Sequence, residues 1–174
     1  ERTNDIIAIG GLRHLKGGDT LVRLAERLKA SGDPATVISV GGPDDERLVA
    51  AAERVGNIRR VGFLSDTALA EALGRARALV FLSRYEGFGM PPLEAMALQT
   101  PVIASNATAL PEVVGDGAIV VDPDDTDAAF AALTRLTEDA PWREDLVARG
   151  LAQARRHTWE AVADKVAAAL LSAR

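Results

Sequence analysis

The chain has 174 residues, of which 48% are hydrophobic and 26% charged, with a formal net charge of −5. That length fits one domain with a full core, the mix is ordinary for a globular protein, and the acidic balance argues against broad nucleic-acid binding. Cysteine is absent and histidine occurs only as His14 and His157. Disulfides, thiolate metal sites and a cysteine nucleophile are thereby excluded, and a histidine-rich metal centre is disfavoured.

Apolar runs and helical periodicities alternate along the chain. Ile6-Ile7-Ala8-Ile9-Gly10 reads as a buried strand, after which Leu21, Leu24, Ala25 and Leu28 recur at helical spacing. Thr36 to Gly41 is the second strand. The helix after it starts at Asp44, Asp45 and Glu46, where acids complement the dipole, and carries Leu48, Val49, Ala52 and Val55. Ile58 to Gly62 is a short strand, and Ser65 caps a helix bearing Leu69, Ala72, Leu73 and Ala76. Ala78 to Leu82 is the most apolar strand, and Val102–Ala104 and Ala118–Val121 are two more. From Thr126 onward the pattern is helical, with a break near Pro141 and a last helix from about Trp159 to Leu171. No run approaches the length of a membrane span, and no signal-peptide pattern opens the sequence.

Strands separated by helices imply a doubly wound, Rossmann-like α/β fold with a parallel sheet and a helical C-terminal tail, in one domain over 1–174. Such sheets bind ligands beyond the carboxyl ends of their strands. The loops after Ile9, Val40 and Leu82 should therefore share one edge, and all three are rich in glycine.

Two of these loops carry candidate chemistry. Arg13-His14-Leu15-Lys16-Gly17-Gly18 places a lysine before a glycine turn and a helix start, a combination suited to phosphate. It is neither the phosphate-loop pattern nor the dinucleotide fingerprint. Taken alone it also fits a solvated turn. Tyr85-Glu86-Gly87-Phe88-Gly89-Met90-Pro91-Pro92-Leu93-Glu94 is sharper. It sets Glu86 on a glycine-flanked loop and Glu94, seven intervening residues later, in the first turn of a helix. Glycines let a ligand approach the backbone, and the helix start offers unpaired N–H groups to an anion. Two acids around such a loop suit a ligand bearing hydroxyls and phosphate. Either acid by itself is equally well a solvated loop carboxylate or an ordinary helix-start acid.

The stretch Glu86 to Ala97 closely resembles the donor-site motif of family 4 retaining glycosyltransferases. Lys16-Gly17, Val61-Gly62-Phe63-Leu64, Thr100 to Ser105, Leu110 to Val114 and Thr158-Trp159-Glu160 resemble further signatures of that family, in order. The resemblance implies the C-terminal, nucleotide-sugar-binding half of a two-domain GT-B enzyme, with the N-terminal acceptor half absent. It implies that Lys16 and Arg13 meet the diphosphate and that Glu94 holds the ribose. Leu64 would touch the base through its backbone. Glu86 would be the catalytic residue and contact the transferred sugar, with the backbone of Gly87, Phe88 and Gly89, and with Met90 or Leu93, completing the donor site. Pro91 and Pro92 have no N–H to give. The arginine usual after the family's first strand is Gly11 here, and Arg13 replaces it only if the loop turns it inward.

The implied function is transfer of a hexose, with mannose as a candidate, from a nucleoside-diphosphate sugar in bacterial cell-surface polysaccharide or lipopolysaccharide synthesis. No metal and no cofactor is expected. The implied location is cytoplasmic, with peripheral attachment at the inner membrane face through the missing half. The alternatives are an epimerase-like enzyme or a non-catalytic nucleotide-binding module on the same fold. Outside the motif, His14 reads as a surface histidine and the Asp122–Asp127 cluster as a capped helix start. Trp159, Val162, Val166 and Leu170 form a helical stripe expected to pack in the core, while the resemblance implies that this last helix leans on the partner domain and that part of the stripe is exposed in a lone domain.

Overall fold

The computed structural model describes residues 2–172. Six parallel strands form one sheet: β1 (Ile6–Ile9), β2 (Val37–Val40), β3 (Ile58–Gly62), β4 (Ala78–Phe81), β5 (Val102–Ser105) and β6 (Ile119–Val121). Their order is β3-β2-β1-β4-β5-β6. The connection from β1 runs outward through β2 to β3, whereas β4 begins on the other side of β1 and continues outward to β6. Between β1 and β4 the winding reverses, and the loops leaving these two strands diverge to opposite faces. That switch point is where a doubly wound sheet opens a crevice at its carboxyl rim.

Among the described residues, seven α-helices flank the sheet, α1 (Gly18–Ala30), α2 (Glu46–Val55), α3 (Asp66–Arg75), α4 (Met90–Ala97), α5 (Leu110–Val114), α6 (Thr126–Glu138) and α7 (Ala140–Arg155), and α8 (Trp159–Ser172) follows them. Alternate strand residues feed two cores, as the two-residue strand period requires. Ile6, Ala8, Val37, Ala78, Val80 and Ile103 pack with α1 and α6 on one face. Ile7, Ile38, Leu79, Phe81, Val102 and Ala104 pack with α3, α4 and α5 on the other. Both faces of the central strands are thus dry, which is why they read as unbroken apolar runs rather than as alternations.

Helix starts follow their capping residues. Asp45 accepts from Arg47 N, Ser65 from Ala68 N, Asp125 from Ala128 N and Asp139 from Trp142 N. The aspartate cluster around Pro123 therefore does serve a capped helix start. Two expectations need correction. The helix at the two-glutamate loop begins at Met90, ahead of both prolines, so Glu94 lies in its second turn rather than its first. The Trp159 stripe is not core: Trp159 is 78% exposed and Val162, Val166 and Leu170 are exposed with it. Periodicity makes one face of α8 apolar, but among the described residues no other element covers it.

Candidate functional site

The carboxyl rim at the switch point is built from the loops after β1 and β4. After β1, Gly10 and Gly11 both donate to the Val40 carbonyl, and the chain then makes a one-turn 3-10 helix, His14–Lys16, before α1. Gly17 ends that turn with φ +72°. A Cβ there would sit 2.3 Å from the Leu82 carbonyl oxygen, so only glycine lets α1 start against the end of β4. The two loops are also laced directly. Arg84 N donates to the Leu15 carbonyl at 2.9 Å, and Ser83 Oγ reaches the same carbonyl at 3.3 Å.

The consequence is that Lys16 and Glu86, 70 residues apart in sequence, meet at the rim, with Nζ 2.5 Å from Oε1. Both side chains are mostly shielded, 20% and 15% exposed respectively. Lys16 lies over Gly10, where a Cβ would come within 3.0 Å of its Cγ. The Glu86 backbone is held on both sides by Thr108, whose hydroxyl accepts from Glu86 N and donates to Glu86 O, each at 3.0 Å. Thr108 does this from φ +49°, an unusual conformation for a threonine.

Beyond Glu86 the chain presents its backbone. Among the described residues, no protein acceptor meets the N–H groups of Gly87, Phe88, Gly89 and Met90. Gly89, at φ +96°, caps α4, and a Cβ there would collide with Leu110 Cδ2. Four N–H groups converging on a helix start make a place for hydroxyl or phosphate oxygens. Phe88 and Met90 are exposed beside them, whereas the Leu93 side chain is in the core, so Leu93 can contribute only its backbone. Glu94 is exposed on α4. It makes no ion pair or hydrogen bond through its carboxylate among the described residues, and no contact joins it to Lys16 or Glu86.

Arg13 turns inward, donating from Nε to the Gly10 carbonyl at 2.9 Å, with no partner for its terminal nitrogens among the described residues. Gly11 could not carry an arginine in this conformation. Its φ is +73° and a Cβ would stand 2.8 Å from Asp44 Oδ1, which accepts from Leu12 N. Leu64 packs partly against the second core, leaving its backbone at the end of the β3 loop, next to an 83% exposed Phe63. The surface hollows lie elsewhere. One of about 360 Å³ is lined by Lys29, Asp33, Asn57 and Arg59. It sits at the amino ends of β2 and β3, away from the crevice that the winding creates, and Lys29 there is already bonded to the Val55 carbonyl.

One set of residues escaped sequence reasoning. Arg84 grips Asp19 on α1 with two parallel bonds of 2.8 and 2.9 Å, and also reaches Asp124 and the His14 carbonyl. Burial alone would push the Asp19 carboxyl up, but the hydrogen bonds and charge of Arg84 outweigh it and hold the group below the ordinary carboxylate range. Arg84 is correspondingly raised: burial works against its charge, and its bonds to Asp19 and Asp124 more than compensate. The clasp ties the two rim loops together and consumes Arg84, leaving Lys16 as the cation that faces Glu86. The only sequence hint was the position of Arg84 at the end of the most apolar strand. Asp19→Asn is expected to cost about 1–2 kcal/mol near pH 7. Because the folded carboxyl is the more acidic, this contribution is present above about pH 4 and fades as pH falls through the lowered value. Denaturant midpoints of both proteins between pH 7 and 3 should converge at the acid end; a constant gap would remove the charge from the account.

A six-stranded parallel sheet with a lysine, an acid and a row of N–H groups without protein acceptors at its switch point defines a doubly wound α/β domain. The sequence model of the group 1 glycosyl transferases matches residues 1–153, and the chain belongs to that family. It is 48% identical over 114 residues to O-antigen chain mannosyltransferase B of Escherichia coli, a match covering 66% of this chain and 30% of the relative. It is 41% identical over 143 residues to the MMP alpha-(1->4)-mannosyltransferase of Mycolicibacterium hassiacum, covering 78% of this chain and 34% of the relative. Sucrose-phosphate synthase of Thermosynechococcus elongatus superposes with a TM-score of 0.82 at 27% identity, over 98% of this chain and 46% of that one. The chain thus spans about a third of the length of these two curated relatives. The family match sets aside the epimerase-like reading.

Proposed function

We propose that this chain binds the nucleoside-diphosphate end of an activated hexose, and that within a longer protein it transfers that hexose with retention of configuration. The observation that carries the reading is the Lys16–Glu86 pair beside the unpaired N–H groups of Gly87 to Met90. Lys16, with the terminal nitrogens of Arg13 and the start of α1, neutralises the diphosphate. The backbone of Leu64 borders the base. Glu94, which has no protein partner among the described residues, accepts from the ribose hydroxyls. Glu86 and the N–H groups of Gly87, Phe88, Gly89 and Met90 orient the sugar.

Cleavage of the bond from the anomeric carbon to the leaving phosphate oxygen puts negative charge on the departing diphosphate. An ammonium and helix-start dipoles aimed there lower the barrier without rearranging, each worth about 3 kcal/mol. In this reading no metal or cofactor takes part. The acceptor is supplied by a second domain of the longer protein. The names of the relatives favour mannose as the sugar, and that of the Escherichia coli relative an O-antigen chain as the product; we place that synthesis at the cytoplasmic face of the membrane. Among the described residues, no helix is long and apolar enough to cross a membrane.

Titration with UDP, GDP and ADP, followed by calorimetry or ligand-observed NMR, tests the binding. At least one should bind, and Glu94→Ala should weaken it by about 1.5–3 kcal/mol through lost charge-assisted bonds. Equal affinity of the variant for the nucleotide would take Glu94 out of the site, and no binding of any nucleotide would end the reading.

A further inference from the structure

Glu86 and Lys16 pair at the rim, and that pairing bears on which ligand the rim prefers. We propose that Glu86 discriminates against the bare nucleoside diphosphate and in favour of its sugar conjugate. The inference rests on the reading above and adds a role for Glu86 beyond contacting the sugar.

The pairing is built in rather than incidental. Thr108 fixes the Glu86 backbone on both sides. Lys16 is confined by the Gly10 surface beneath its stem and by the turn that Gly17 closes against Leu82. Of the nearby arginines, Arg84 is committed to Asp19 and Asp124, and Arg13 bonds the Gly10 carbonyl through Nε, with its terminal nitrogens assigned above to the diphosphate. Lys16 is therefore the cation that keeps a carboxylate only 15% exposed from standing unpaired.

A diphosphate must take Lys16 from Glu86 or share it. Without a sugar, the displaced carboxylate is left partly buried, parted from its cation and beside a like charge, which is costly. With a sugar attached, hydroxyls lie where the carboxylate can accept from them, and the acid exchanges one donor for another. Glu86 thus penalises the nucleoside diphosphate and spares the conjugate. After transfer the same penalty falls on the remaining nucleoside diphosphate and favours its departure.

The test uses the present chain and calorimetric titration with whichever of UDP, GDP and ADP binds most tightly, alongside its hexose conjugate. Glu86→Gln removes the charge while keeping the shape. It should bind the bare diphosphate roughly tenfold more tightly than the original chain and shrink the preference for the conjugate by a similar factor. A gain in affinity cannot come from misfolding. Glu86→Asp, which retracts the carboxylate by one methylene, should fall between the two and serves if the glutamine variant fails to fold. Unchanged or weaker binding of the bare diphosphate by these variants overturns the proposal. It would leave the parent reading standing if Lys16→Ala and Glu94→Ala still weaken nucleotide binding. If none of the substitutions moves affinity, both fail.

Discussion

Lys16→Ala is expected to weaken nucleoside-diphosphate binding by about 3 kcal/mol, more than a hundredfold, while affinity for the matching nucleoside stays within about twofold. Two effects add. The diphosphate loses the ammonium that faces it, and Glu86, 2.5 Å away in the original chain, becomes an unpaired carboxylate in the same place. Its charge then opposes the ligand rather than being spent on Lys16. The two contributions separate in a double-mutant cycle: Lys16→Ala/Glu86→Gln should recover part of the loss. A nucleoside has no phosphate near Lys16 and should be indifferent to both changes. Calorimetric titration of the four proteins with nucleoside and diphosphate gives the answer. A uniform loss on both ligands would mean that the substitution disturbs the fold and not a phosphate contact.

Gly17→Ala should have the largest structural effect, lowering stability by about 3 kcal/mol. Its φ of +72° already disfavours a side chain, and the added Cβ would meet the Leu82 oxygen at 2.3 Å and Leu82 Cβ at 2.7 Å. Neither neighbour is the loose end of a side chain. Relief requires moving the start of α1 away from the end of β4, and this is the juxtaposition that brings Lys16 to Glu86. Gly87→Ala is the matched control, because nothing lies within 4 Å of a Cβ there and its φ is not positive. Denaturant midpoints should drop for the first and scarcely change for the second. Similar midpoints for both would show that the two rim loops are not packed as described.

The sheet was legible because each central strand is buried on both faces and so appears as a short apolar block. β3 matches its predicted span, and the others differ by a residue or two at their ends. Gly10 was read as strand, but its φ of +119° already belongs to the turn. Glycine-rich loops after β1, β2 and β4 share an edge because the pairings are parallel. Glu86 and Lys16 were legible as candidates because glycine and helix-start chemistry surround both.

Other features were hidden for physical reasons. The Arg84–Asp19 clasp joins residues 65 apart, and nothing local marks either partner. The same holds for Thr108, whose role depends on a backbone shape that its neighbours do not announce. Prolines set the start of α4 one residue earlier than their position suggested, which moved Glu94 to the second turn. The apolar stripe of α8 was correctly seen as a stripe, yet periodicity says only that a face is apolar and not what will cover it.

A crystal structure of this chain with the best-binding nucleoside diphosphate tests the central claim most directly. The account predicts phosphate oxygens within about 3 Å of Lys16 Nζ, ribose hydroxyls on the Glu94 carboxylate, and Glu86 released from Lys16. A nucleotide seated instead in the hollow between Lys29, Asn57 and Arg59, with Lys16 still bonded to Glu86, would contradict it.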